Sequence, residues 1–316
     1  MQDALVGHTG FVGQTLLQQH HFPATFNSAT IHNSAGQDFA TVVCAAAPGS
    51  MFEANRFPER DAQAIDGLID RLSGLRAQRF VLISTVAVLD RFDGQATETT
   101  TAFQTSVAYG VNRRRLETFC AAHFADCLIV RLPALFGPGL RKNFLFDLMN
   151  PVPSMLPAAR YDALRLALPQ SLQDLAAAVF VEDPALGLHV LNRAALNKST
   201  LRPALESAVT EAGFSALGFT HPESRFQFYD MTRLWADVRV AQAAGLSVIH
   251  LAPEPLVAGA VHQALIGREM PASDARRHHE DMWSAHSGLW SKSGPYLMDK
   301  ADCLARLRRF YTGAVA

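Results

Sequence analysis

Through the first half of the chain, apolar runs of strand length alternate with amphipathic stretches, and nothing else in the sequence restricts the fold as much. Residues 3–7, 24–27, 41–47 (TVVCAAA), 79–85 (RFVLIST) and 127–132 (CLIVRL) are apolar runs too short for helices. Between them, residues 11–21, 61–75 and 106–124 read as helices, and Ile65, Leu68, Ile69 and Leu72 recur at spacings of three and four. Strands that alternate with helices over such distances form βαβ units and a parallel sheet covered on both faces. The expected fold class is α/β, a doubly wound, Rossmann-like parallel sheet with a smaller C-terminal lobe.

The alternation stops where Pro151, Pro153 and Pro157 punctuate the chain, and residues 161–213 read as mostly helical. It returns with a strand at RFQFYDM (225–231), a helix over 234–244, a strand over 247–252 and a helix over 255–266; 267–274 reads as a linker and 300–311 as an amphipathic helix. Residues 1–147 and 225–266 are therefore assigned to the sheet domain, and 148–224 and 267–316 to the lobe. With 49% hydrophobic and 18% charged residues, the chain is not of the disordered class. A net charge of −1 argues against a basic nucleic-acid module. No apolar run of 18 residues and no signal-peptide pattern occur, and the four cysteines form no CxxC pair. A cytoplasmic protein with reduced thiols, and no membrane or nucleic-acid partner, is expected.

Gly7-His8-Thr9-Gly10-Phe11-Val12-Gly13 follows the first strand and opens the first helix. Glycines in such a turn allow a tight bend, a close approach of backbone to a diphosphate, and close packing of helix on strand. The helix N-terminus then offers unpaired N–H groups and a positive dipole end. The context supports a dinucleotide-binding turn, in which Gly7, Thr9, Gly10, Phe11, Val12 and Gly13 contact the cofactor. The acidic residue usual about 20 positions after the first glycine is absent. Asn27 and Ser28 stand there, and NAD and NADP both stay open. The stretch from Asn27 to Thr41 is also too short for another strand and helix, so the adenine end is expected to be abbreviated.

With its GxxGxxG turn, the chain resembles the short-chain dehydrogenase/reductases, specifically the extended NAD-dependent epimerase/dehydratase family. STVAVLD (84–90) and YGVNRRRLE (109–117) resemble that family's strand end and its YGxxKxxxE helix. The resemblance implies a catalytic group of Thr85, Tyr109 and Arg113. Tyr109 would exchange the proton as hydride moves, Thr85 would orient the substrate oxygen, and Arg113 would bind the nicotinamide ribose and favour the phenolate. Arg113 stands where the family has lysine. It retains charge and hydrogen-bond donors but cannot relay a proton. An i,i+4 pair with Glu117 is its structural alternative. Val86-Ala87 replace the Asp-Glu that performs elimination in the family's dehydratases, which argues against dehydration.

Further segments resemble the family. Ala45, Ala46 and Ala47 are expected beside the cofactor, and Pro133, in RLPALFGPG, beside the nicotinamide. Asn143 and Arg225 are expected on the substrate, Arg225 through bidentate bonds to a diphosphate. A buried strand at the alanines and an exposed strand-edge arginine are the plainer alternatives. The cluster Arg276-Arg277-His278-His279-Glu280-Asp281 lacks zinc-motif spacing; a solvated face is expected and no metal. Two function classes follow. One is an NAD(P)-dependent oxidoreductase or epimerase acting on a hydroxyl/ketone centre, possibly of a sugar or nucleotide sugar. The other is a non-catalytic NAD(P)-binding sensor or scaffold. A small-molecule substrate and, by family analogy, a homodimer are the expected partners.

Overall fold

The computed structural model describes residues 1–315. In chain order the elements are β1 (Gln2–Val6), α1 (Phe11–Gln19), β2 (Ala24–Phe26), β3 (Asp38–Cys44), α2 (Met51–Arg56), α3 (Pro58–Ser73), β4 (Arg76–Thr85), α4 (Ala108–His123), β5 (Cys127–Leu132) and β6 (Ala134–Phe136). There follow α5 (Phe144–Met149), β7 (Met155–Pro157), α6 (Ala158–Ala167), α7 (Gln170–Val179), β8 (Phe180–Asp183), β9 (Leu188–Leu191), α8 (Arg193–Lys198) and α9 (Arg202–Glu211). The rest comprises β10 (Arg225–Phe226), β11 (Phe228–Asp230), α10 (Leu234–Ala243), β12 (Val248–His250), β13 (Leu256–Val257), α11 (Ala258–Ile266) and α12 (Lys300–Val315). No helix among the described residues is long and apolar enough to cross a membrane.

The chain forms two compact units. The first contains Met1–Leu140, Arg225–Leu256 and His279–Ala314. Its six-stranded sheet has the order β12-β5-β4-β3-β1-β2, with every pairing parallel. Side chains alternate between the faces, as strand geometry requires. Ala4, Val6, Val42, Cys44, Phe80, Leu82 and Ile129 meet Ile65, Leu68 and Leu72 of α3 and Leu116 and Cys120 of α4. On the opposite face, Leu5, Val43, Val81, Leu128 and Val130 meet Leu16 of α1 and Leu234, Val238 and Ala241 of α10. Covering both faces makes the runs continuously apolar, which is why strand and helix lengths were legible.

The strand order reverses between β1 and β3. Such a reversal opens a crevice at the carboxyl ends of the strands, where ligands bind in open α/β sheets. β2 is an edge strand of three residues. Only a 3₁₀ turn, Ile31–Ser34, stands between it and β3, so the connection is abbreviated as expected.

The second unit contains Arg141–Ser224 and Val257–His278. Its core gathers Val152, Leu156, Tyr161, Leu164, Leu172 and Leu205, with others, around an antiparallel sheet of order β7-β9-β8. Residues 161–213 are mostly helical, in α6, α7, α8 and α9, with the β8–β9 hairpin set between α7 and α8. Asp183 accepts N–H bonds from Ala185 and Leu186 at 3.0 and 3.1 Å and closes its turn.

The expected dividing points shift. Residues 279–314 belong to the first unit, not to the lobe, because Leu297 and Trp290 pack into the sheet's second core. Helix α11 belongs to the second unit. RFQFYDM is two short strands, broken at buried Gln227. Its side-chain amide donates to the carbonyls of Pro253 and Met282 at 2.7 and 2.8 Å. Helix α11 starts at Ala258 rather than 255, and residues 24–27 shorten to Ala24–Phe26.

Candidate active site

The glycine turn starts at the end of β1. Gly7 has φ +91°, and a Cβ there would lie 2.5 Å from the Ala45 carbonyl oxygen, so no other residue fits. At Gly13 a Cβ would lie 2.1 Å from Gly7 O, and α1 consequently packs directly on the turn. At Gly10 the nearest atom would be Gly7 O at 3.6 Å, leaving that side of the bend open. The first intrahelical bond of α1 runs from Gln14 N–H to Gly10 O (2.8 Å), so the N–H groups of Phe11, Val12 and Gly13 stand ahead of the ladder at its positive end. The side chains of Phe11 and Val12 are partly buried and pack against the sheet core. Thr9 is exposed. An anion of diphosphate size fits this bend on two grounds: the open Gly10 side and the three converging N–H donors.

Ala45, Ala46 and Ala47 are half-buried and follow β3, with Ala45 N–H bonded to Val6 O at 2.8 Å. Pro133 is half-buried just past β5. Together with Thr85 at the end of β4, they share the sheet's carboxyl edge with the glycine turn. Asn27 is engaged locally. Its Oδ1 accepts from Ala29 N–H, Thr30 N–H and Thr30 Oγ1–H at 2.9, 3.1 and 3.2 Å, closing an Asx turn. Ser28 is exposed beside it.

Tyr109 lies in the first turn of α4. Gly110 brings that turn against the segment after β4: a Cβ at 110 would fall 2.3 Å from Ala87 O. The Tyr109 hydroxyl accordingly lies near the Thr85 side chain, which favours the phenolate, while Thr85 Oγ1 accepts the Ala87 N–H at 3.1 Å. Asn55 of α2 fixes the helix start by accepting Tyr109 N–H at 3.0 Å. Burial raises the phenol's pKa above the ordinary value; the Arg113 charge opposes this and the Asp61 charge adds to it.

Arg113 departs from expectation. It is 2% exposed, forms an ion pair with Asp61 of α3, and donates to the Pro48 carbonyl. Its guanidinium carbon lies 4.0 Å from the centroid of the Tyr109 ring. The Arg113 charge favours the phenolate, and burial outweighs it. The i,i+4 alternative is corrected, because Glu117 pairs elsewhere. Of the guanidinium nitrogens, Nε is buried without a hydrogen-bond partner.

Sequence reasoning missed Asp61, Asn55 and the partners of Glu117. Glu117 Oε1 accepts from Ser84 Oγ at 2.6 Å and Arg131 Nε at 3.0 Å, and its Oε2 accepts from Arg131 Nη2 at 2.7 Å and Arg114 Nη1 at 3.0 Å. Arg131 Nη1 donates to His250 Nε2 at 3.1 Å, and His250 Nδ1 donates to Trp283 O at 2.9 Å, which sets the Nδ1–H tautomer. Ser84 faces Arg131 across β4–β5, and Arg131 faces His250 across β5–β12. The network fastens α4 to the sheet one residue from Thr85. Glu117 and Arg131 both sat inside recognised motifs, but cross-strand register is invisible without the fold.

Arg225 is exposed at the start of β10, and its carbonyl accepts Glu280 N–H at 3.0 Å. Asn143, in the second unit, has φ +100° and caps α5, its Oδ1 accepting from Leu145 and Phe146 N–H at 3.0 and 3.3 Å. Within the histidine-rich cluster, Glu280 departs from the expected solvated face: it is buried and accepts Gln227 N–H at 2.8 Å.

No curated protein sequence matches the chain. Solved structures share its fold at low identity. RMD from Pseudomonas aeruginosa, complexed with NADPH, is 16% identical with a TM-score of 0.57, covering 100% of this chain and 99% of its own. The UDP-N-acetylglucosamine 4-epimerase from Methanobrevibacter ruminantium, in complex with UDP-N-acetylmuramic acid, is 13% identical with a TM-score of 0.61, covering 99% and 98%. A dTDP-4-dehydrorhamnose reductase from Clostridium acetobutylicum is 12% identical with a TM-score of 0.59, covering 100% of both chains. The model of the NAD dependent epimerase/dehydratase family matches residues 25–197, more than half of the sequence. With that match and the Rossmann-like sheet in agreement, this chain belongs to the NAD dependent epimerase/dehydratase family.

Proposed function

We propose that the protein is an NAD(P)-dependent oxidoreductase or epimerase acting on a hydroxyl/ketone centre of a sugar or nucleotide sugar, with Tyr109 as the acid/base. The cofactor is a nicotinamide dinucleotide, NAD or NADP, which supplies or accepts hydride when bound. The turn from Gly7 to Gly13 holds its diphosphate, Ala45–Ala47 and Pro133 border it, and Asn27 and Ser28 lie toward the ribose. Thr85 orients the substrate oxygen, and Tyr109 exchanges a proton with it. Arg113 acts on the phenol electrostatically across the ring face. Asn143 and Arg225 contact the substrate. A cytoplasmic homodimer without membrane or nucleic-acid partners belongs to the same proposal.

The observation that carries it is the close packing of the Tyr109–Gly110 helix start on the segment that follows Thr85, at the same sheet edge as the glycine turn. The test is a hydride-transfer assay over nucleotide sugars and simple carbonyls, on wild type, Tyr109→Phe and Thr85→Ala. Loss of general acid–base catalysis predicts a fall of about 10²–10⁴-fold in Tyr109→Phe. The engagement of Arg113 with Asp61 and Pro48 favours a second reading, cofactor binding without turnover. Equal, negligible rates in wild type and Tyr109→Phe, alongside firm cofactor binding, would establish it.

A further inference from the structure

We infer that this chain runs a net oxidation–reduction on a nicotinamide dinucleotide that enters and leaves in every cycle, rather than an epimerisation on a retained one, because residues 27–37 build only a shallow adenosine seat. The inference rests on the reading of the glycine turn as a dinucleotide site and extends it to the kind of reaction.

The two ends of the crevice are unequally built. At the diphosphate end the bend is complete, with Gly7 and Gly13 both fitted to within van der Waals limits and three N–H groups at the head of α1. At the adenosine end the usual dinucleotide-binding order, 3-2-1-4-5-6, places another strand and its crossover helix beyond strand 2. Here β2 itself is the edge. The chain returns to β3 through Ile31–Ser34, a single 3₁₀ turn. The ribose-facing segment Asn27-Ser28-Ala29-Thr30 has no carboxylate, so no charge-assisted bond to the ribose hydroxyls is on offer. Asn27 Oδ1 is occupied by its own Asx turn. Ser28, Ala29, His32 and Asn33 are exposed, so these four side chains do not pack together as an apolar cover for an adenine.

An epimerisation removes a hydride and returns it to the same carbon, so the cofactor must outlast both half-reactions. A net reduction has the opposite requirement, since spent cofactor must leave before the next turnover, at or above the median enzyme rate of about 10 s⁻¹. In that reaction the substrate carbonyl carbon gains hydride from C4 of the reduced nicotinamide. The carbonyl oxygen gains the Tyr109 proton. Alcohol and oxidised dinucleotide depart, and water reprotonates the phenolate; the reverse direction balances in the same way. A seat fastened at the diphosphate and open at the adenosine meets the second requirement and fails the first.

The test measures nucleotide retention, then release. The full chain is gel-filtered and heat-extracted, and the extract is assayed for NAD(H) and NADP(H). Added NADH and NADPH are then titrated by fluorescence and displaced in a stopped flow. The expected result is a nucleotide-free protein that binds at least one of the two with a Kd of about 1 μM or weaker, the range of ordinary exchanging substrates, and releases it at about 10 s⁻¹ or faster. One equivalent of nucleotide retained through gel filtration and freed only by denaturation would overturn the inference while leaving the dinucleotide site standing. Failure to bind either nucleotide, added or retained, would overturn both.

Discussion

Arg113 of α4 and Asp61 of α3 form an ion pair buried on both sides, the side chains being 2% and 4% exposed. Asn112 Nδ2 also donates to the same carboxylate oxygen at 2.8 Å. The pair holds the guanidinium over the Tyr109 ring and couples two helices of one sheet face to the protonation of the phenol. Removing one partner strands a buried charge, a loss of about 3–5 kcal/mol. Asp61→Asn is therefore expected to lower stability by about that amount in urea unfolding. It also removes the charge that raises the phenol's pKa while leaving the one that lowers it, so the Tyr109 pKa falls. Among five tyrosines, Tyr109 is identifiable in NMR of ring-labelled protein by its loss in Tyr109→Phe. A phenol that titrates unchanged in Asp61→Asn would contradict the coupling.

The raised pKa of Tyr109 gives the reaction a directional pH signature. Burial, the largest cause, keeps the phenol protonated to above its ordinary value of 10.0. As a proton donor it is already in the required state across neutral pH. As a base it must first lose the proton. The rate of carbonyl reduction is accordingly expected to stay flat from about pH 6 to 9, whereas alcohol oxidation climbs about tenfold per pH unit toward the phenol's pKa. Initial rates in both directions across that range check this, and an oxidation rate that levels off near neutrality would remove Tyr109 as the base.

Asn27 offers a way to test where the ribose lies. Asn27→Asp keeps the acceptor of the Asx turn, so Ala29 and Thr30 retain their bonds. It adds one negative charge at the end of β2. Near a 2′-phosphate that charge repels, while near a 2′-hydroxyl it accepts hydrogen bonds. The expected outcome is NADPH binding weaker by about tenfold or more, with NADH binding equal or tighter, measured by fluorescence titration; a tenfold change corresponds to about 1.4 kcal/mol. Equal change for both nucleotides would place the ribose elsewhere.

Legibility followed the range of the forces involved. The β1 turn, the doubly apolar strands and the Tyr109–Gly110 helix start were readable because each is a local pattern. So was the shortened connection after Asn27, which needed only a count of residues. Asp61 was not: on its helix it is an ordinary first-turn acid beside Glu59, and its partner lies 52 positions away. The β8–β9 hairpin was hidden because its strands are four residues long and carry Glu182 and His189 as a facing pair. Residues 279–314 attach to the sheet unit through scattered apolar side chains, Met282, Trp290 and Leu297, in a stretch without periodicity. Asp61 and residues 279–314 depend on long-range contacts that local patterning does not encode, whereas the hairpin is local but too short and polar to show a strand pattern.

His250 supplies an acid limit to the fold. Burial is the main cause that lowers its pKa from 6.5, the Arg131 charge lowers it further, and the Glu98 charge opposes both. In the folded state Arg131 Nη1 donates to Nε2, which therefore has no room for a proton. The unfolded chain takes up that proton as pH falls below 6.5. Below that point the unfolded state binds more protons than the folded one, so stability declines until the folded pKa is reached and is unaffected by this residue above pH 6.5. The decline has a slope of about 1.4 kcal/mol per pH unit for one proton. His250→Gln keeps a side-chain acceptor for Arg131 and has nothing to titrate. Its stability is expected to be lower than wild type at pH 8 but to fall less steeply between pH 6.5 and 5, so the two curves converge. Parallel curves in urea unfolding over that range would show that His250 does not set the acid limit.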